Sequence, residues 1–96
     1  MSAPRLFDGQ VAVVSGAGQG LGSAFARALA ESGCRVVALD VQEKPVAELA
    51  ATLRGDGLVC EARVVDVRDA TACVATAESV VRELGPAAVL VNNAGI

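Results

Sequence analysis

The residues best suited to chemistry in this chain are glycines. Ser15-Gly16-Ala17-Gly18-Gln19-Gly20-Leu21-Gly22 sets glycine at every second position between an apolar run, Val11-Ala12-Val13-Val14, and a stretch with helical spacing. Such a pattern means little alone; its placement at a strand-to-helix turn gives it content. There, glycines let the backbone turn tightly and approach a pyrophosphate, while the N–H groups and positive dipole end of the helix face the anion. Gly22 would let that helix pack closely on the sheet. A plain tight turn of small residues would use the same letters. Asp40 stands 18 residues after Gly22, at the end of a second apolar run, where a carboxylate can accept hydrogen bonds from the adenosine ribose hydroxyls of a dinucleotide. The same charge would repel a 2′-phosphate. Neither neutral Gln19 nor apolar Val41 supplies the cation that a 2′-phosphate wants, so NAD is favoured over NADP; Lys44 is the one nearby cation that could soften the preference. Read alone, Asp40 could also be an ordinary turn aspartate.

These residues need elements to hold them. Val11–Val14 is a short continuous apolar run, as suits a strand buried on both faces of a parallel sheet. Leu21, Ala24, Phe25, Ala28 and Leu29 then recur at helical spacing, an apolar stripe stopped by Gly33. Val36–Leu39 is a second run. A second helical stripe follows in Val46, Leu49, Ala50 and Leu53, with Pro45 expected at the first helical position and Gly55 just past the end. Val59–Val65 reads as a third strand, interrupted by Glu61 and Arg63. Asp69 can cap a third helix carrying Ala70, Cys73, Val74, Ala77, Val80, Val81 and Leu84 on one face, ended by Gly85-Pro86. Ala87–Val91 is the fourth run. Strands and helices thus alternate with short connections, which predicts right-handed crossovers and a parallel sheet covered on both faces, a doubly wound α/β unit.

Composition removes other classes. The eight basic residues are dispersed singly against eleven acidic ones, so no basic patch exists to bind nucleic acid. There is no His, which removes the commonest general base and every Ser-His-Asp arrangement. Three cysteines (Cys34, Cys60, Cys73) without C-x-x-C spacing give neither a zinc site nor a disulfide framework. Cys60 and Cys73 are expected as buried free thiols, and no metal ligand set is expected. Mean hydropathy is +0.51, too apolar for a disordered tail, yet charges or glycines interrupt every apolar run before it could span a bilayer. The N-terminus lacks a signal-peptide apolar stretch, so the cytoplasm is the default location. Residues 1–96 are expected to form a single domain.

Three motifs in order carry a resemblance. Ser15 to Gly22 is similar to the Thr-Gly-x-x-x-Gly-x-Gly loop of the short-chain dehydrogenase/reductase family, with Ser in place of Thr keeping the hydroxyl. Asp66-Val67 resembles the family's Asp-Val pair after the third strand, and Asn92-Asn93-Ala94-Gly95 its Asn-Asn-Ala-Gly after the fourth. Each falls at the carboxyl end of a strand, and together they extend over essentially the whole chain. The resemblance implies the N-terminal half of a Rossmann-type doubly wound parallel sheet, strand order 3-2-1-4. It implies that Gly16, Gln19, Gly20 and Leu21 line the pyrophosphate and its ribose, with Ser15 and Gly22 of the same loop also cofactor-binding. Asp40 and Val41 would hold the adenosine ribose, Asp66 the adenine amino group with Val67 beside the ring. Asn93, Ala94 and Gly95 would pass close to the cofactor ribose, and Asn92 would brace the sheet. Without it, Asp66 would read as a solvated strand-end or capping aspartate, and Asn92-Asn93 as a turn.

The resemblance also implies an NAD(P)-dependent oxidoreductase acting between a secondary alcohol and a ketone, homo-oligomeric as a tetramer or dimer. The family's chemistry belongs to a Ser and a Tyr-x-x-x-Lys pair. This chain has no Tyr and a single Lys, Lys44, so no catalytic residue is assigned. The segment is expected to be part of a longer enzyme and inactive alone; the alternative is a truncated, non-catalytic module that binds a dinucleotide or a partner.

Overall fold

The computed structural model describes residues 8–93. Within them the order is β1 (Val11–Ser15), α1 (Gly20–Glu31), β2 (Arg35–Asp40), α2 (Glu43–Gly55), β3 (Cys60–Val64), α3 (Ala70–Leu84) and β4 (Ala87–Asn92). All pairings are parallel, in the order β3-β2-β1-β4. The expected α/β alternation and strand order are therefore present. The direction in which successive strands are added reverses between β1 and β4, the topological switch point outside which open α/β sheets bind ligands.

Side-chain alternation divides the central strands between two cores. Ala12, Val14, Val36, Ala38 and Cys60 pack with Ala26 and Ala30 of α1 and Val46, Ala50 and Leu53 of α2. Val11 and Val37, flanked by Val13 and Leu39, meet Val80 and Leu84 of α3 on the opposite face. Being buried on both sides, β1 and β2 read as continuous apolar runs.

Several expectations are corrected by packing. In α1 the fully buried residues turned to the sheet are Gly22, Ala26 and Ala30; of the predicted stripe only Leu29, half-buried, packs against the core. Leu21 is 61% exposed and Phe25 39%, because a helix that lies close to the sheet needs small residues at the contact. Pro45 is the third residue of α2 and Gly55 its last, one or two positions from where spacing put them; Pro45 still falls within the first turn, where no intrahelical N–H partner is lost. Of the thiols, Cys34 and Cys60 are buried while Cys73 is half-buried on α3; burial pushes the Cys60 thiol up to about 11, leaving it protonated and inert. The charges that interrupt β3 also have a reason. Arg63 donates to Glu61 (2.6 Å), to Ser79 Oγ (2.6 Å) and to Glu83 (3.1 Å), tying this edge strand to α3 across the sheet face.

Asp69 caps α3 as expected: its carboxylate accepts the Ala72 N–H at 3.0 Å. Asp69→Ala is expected to lower stability by about 1 kcal/mol, read as a fall in the denaturant midpoint at unchanged m-value.

Candidate dinucleotide-binding cleft

The loop after β1 is tied to the end of β2. Ala17, fully buried, donates its N–H to Leu39 O at 3.0 Å, and Gly18 donates its N–H to Asp40 Oδ2 at 2.8 Å. Asp40 Oδ1 accepts the Gln42 N–H at 3.0 Å. One carboxylate thus orients both the glycine loop and the start of α2, and each oxygen keeps lone-pair capacity for a further donor. Gly18 is the loop residue that spacing did not single out, since a glycine pattern cannot tell which amide will turn toward Asp40.

A second junction forms where β1, α1 and β4 meet. A Cβ on Gly22 would lie 2.0 Å from Gly16 O and 2.9 Å from Asn93 Nδ2, so the first turn of α1 rests on the loop backbone itself. Asn93 Nδ2 donates to the same Gly16 carbonyl at 3.3 Å. Ser15, buried, has its hydroxyl 3.1 Å from Asn92 Oδ1 and accepts the Asn93 N–H at 3.1 Å. The Ser15 hydroxyl is therefore turned to β4, where it joins two strand ends, and Asn92 is its partner. Ala94 and Gly95 lie outside the described residues.

The start of α1 is suited to an anion. Its N-cap, Gln19, is extended and makes no side-chain cap, and no acidic residue stands in the first turn; the dipole and the initial N–H groups are not answered by a side chain. Gln19, Gly20 and Leu21 are exposed here.

Beside the loop, the carboxyl ends of β2 and β3 enclose a cleft of about 220 Å³ walled by Gly16, Asp40, Val41, Asp66, Val67 and Arg68. Five of the residues singled out from sequence meet here. Val41 is 56% and Val67 42% exposed, apolar surface between two carboxylates. Gln19, Gly20, Leu21, Gly22 and Asn93 are not among its walls. Asp66 is engaged within the chain: its Oδ1 accepts the Arg68 backbone N–H (2.9 Å) and Nε–H (3.0 Å), and its Oδ2 accepts Nη2–H (2.9 Å). The Arg68 side chain, and then its backbone N–H, hold the Asp66 carboxyl down at about 2, so it is an anion throughout the neutral range. Among the described residues no cluster of His, Cys, Asp or Glu could hold a metal ion, and no helix is long and apolar enough to cross a membrane.

Comparison with known proteins points the same way. The family model for short chain dehydrogenases matches residues 10–96. The chain is 42% identical over 89 residues to D-threitol dehydrogenase of Mycolicibacterium smegmatis and 45% identical over 89 residues to galactitol 2-dehydrogenase of Rhizobium johnstonii; in each case the match takes in 93% of this chain and 34% of the relative. A crystal structure of a short chain dehydrogenase from Mycobacterium smegmatis superposes over 100% of this chain and 41% of its own, with a TM-score of 0.90 at 37% identity. The chain thus spans about a third of the length of these curated relatives.

Proposed function

Because the chain belongs to the short-chain dehydrogenase family, we propose that it forms the cofactor half of an NAD-dependent oxidoreductase acting on a secondary alcohol or the corresponding ketone. The observation that carries this reading is the cleft at the carboxyl ends of β2 and β3, with Asp40 bonded to the loop amide of Gly18. When bound, a nicotinamide dinucleotide supplies the hydride acceptor or donor. The chain's own residues then bind and orient it. The uncapped start of α1, with Gln19, Gly20 and Leu21, takes the pyrophosphate. Asp40 accepts from the adenosine ribose hydroxyls with its remaining lone pairs, Val41 lies against that ribose, Val67 against the adenine ring, and Asp66 accepts from the ring amino group. Asn93, with Ala94 and Gly95, passes the second ribose. Gly22 and the Ser15–Asn92 pair keep these parts in register.

NAD rather than NADP follows from the charge at Asp40. With both carboxylate oxygens already oriented by backbone N–H groups, the group cannot turn away from a 2′-phosphate. The family's Ser and Tyr-x-x-x-Lys chemistry is assigned to no residue of this chain, and the segment on its own is proposed to bind cofactor without turning over substrate. The whole protein is proposed to be a cytoplasmic homo-oligomer.

The test is a titration of NAD and NADP against the wild-type protein and Asp40→Ala, at native length. The ratio of the two affinities is the readout, since loosening of the loop affects both cofactors alike. Wild type is expected to prefer NAD, and the variant to shift that ratio at least about tenfold toward NADP, or about 1.4 kcal/mol. An unchanged ratio would remove Asp40 from the ribose site.

A further inference from the structure

Arg68 has no role in cofactor binding as proposed, yet among the described residues it is the only cation that walls the cleft. Its guanidinium meets Asp66 as a two-point fork, Nε–H on one oxygen and Nη2–H on the other, and has no other partner among the described residues. The Arg68 side chain is 86% exposed and that of Asp66 36%, so the pair lies on the rim of the cleft. The Asp66 backbone is held separately, its carbonyl accepting the Asp69 N–H at 2.9 Å. The Arg68 backbone N–H bond to Oδ1 closes the same turn. Swinging the guanidinium out therefore breaks two hydrogen bonds and disturbs nothing else.

We propose that Arg68 is a latch on the adenine end of the cleft, its guanidinium competing with the purine amino group for the Asp66 carboxylate. This rests on the assignment of Asp66 to the adenine ring. Oδ1 already accepts two N–H groups and Oδ2 one, so an amino group approaching from the cleft must share Oδ2 with the Arg68 Nη2–H or displace it. Cofactor affinity is thereby lowered by the free energy of the pair, and the lowering depends on salt, because so exposed a pair is screened. Lysine at the same place keeps the charge that attracts an anionic dinucleotide but lacks the planar fork.

The experiment measures binding of NAD, and of its hypoxanthine analogue in which a carbonyl replaces the ring amino group, to wild type, Arg68→Lys and Asp66→Asn at native length. Arg68→Lys is expected to bind NAD about two- to fivefold tighter at low salt, the range an exposed pair allows, with the gain fading at high salt and absent for the analogue. Unchanged or weaker NAD binding by Arg68→Lys overturns the latch. Asp66→Asn separates the two readings. If it abolishes the preference for NAD over the analogue while Arg68→Lys has no effect, only the latch fails. If it leaves that preference untouched, or if no variant binds NAD, the adenine assignment fails and the latch with it.

Discussion

Replacing Gly22 by alanine is expected to destabilise the protein by about 2 kcal/mol and to cost at least about tenfold in dinucleotide affinity. The added methyl would sit 2.0 Å from Gly16 O and 2.8 Å from Gly16 C, contacts with backbone rather than with a side chain that can turn aside. Either α1 moves off the sheet or the loop moves off α1. Overpacking of this kind costs about 1–3 kcal/mol, and the upper end applies because both partners are main chain in a fully ordered junction. The gain of about 1 kcal/mol that alanine brings over glycine inside a helix offsets part of this and is included in the figure. Asn93 shares the junction through its bond to Gly16 O, so the displacement reaches the end of β4. Denaturant unfolding and a cofactor titration on the same preparation check both halves. A variant of wild-type stability and affinity would mean that the loop and the helix do not approach as described.

Gly20→Val should leave the fold largely intact and remove dinucleotide binding. Gly20 has φ +61°, and a Cβ added there would find nothing within 4 Å. A valine thus meets no protein atom at its Cβ but must adopt a left-handed backbone, at about 1–3 kcal/mol. The open space over Gly20 is where the proposed pyrophosphate comes closest to the backbone, and a branched side chain fills it. An expected loss of about a hundredfold or more in affinity corresponds to about 2.7 kcal/mol. Gly57, with φ +82° and equally open surroundings at the turn after α2, supplies the control. Gly57→Val should lose comparable stability and keep its affinity. If Gly20→Val still binds, the phosphate site lies elsewhere; if Gly57→Val loses binding too, strain rather than occlusion explains the result.

Some of the fold was legible because its signals are local. Val11–Val14 and Val36–Leu39 are continuous apolar runs, and burial on both faces is the condition that produces them. Asp69 announces α3 because a capping aspartate needs only the amide three residues on. The α1 stripe misled for a definite reason. Periodicity weights large side chains, whereas this helix approaches the sheet through Gly22, Ala26 and Ala30, and a close approach selects for the absence of bulk. The charges in β3 weakened its pattern without hiding it, and β3 lies within the expected Val59–Val65; Arg63 reaches Ser79 and Glu83 on α3, with Glu61 holding its guanidinium.

By itself, the order and type of the residues determined the alternation of strands and helices, the parallel sheet and the presence of an anion-suited loop at a strand-to-helix turn. Apolar periodicity, caps and glycine placement act over a few neighbouring residues and so can be read in line. Only the tertiary structure decided that the Gly18 amide turns to Asp40, that Ser15 faces β4, that Gly22 rests on Gly16, and that Arg68 pairs with Asp66. The first two join residues from different strand ends, and hydrogen-bond partners across such a junction depend on how the sheet twists. The other two join near neighbours in sequence, where one distance depends on how closely α1 lies on its loop and the other on which rotamer an exposed arginine takes.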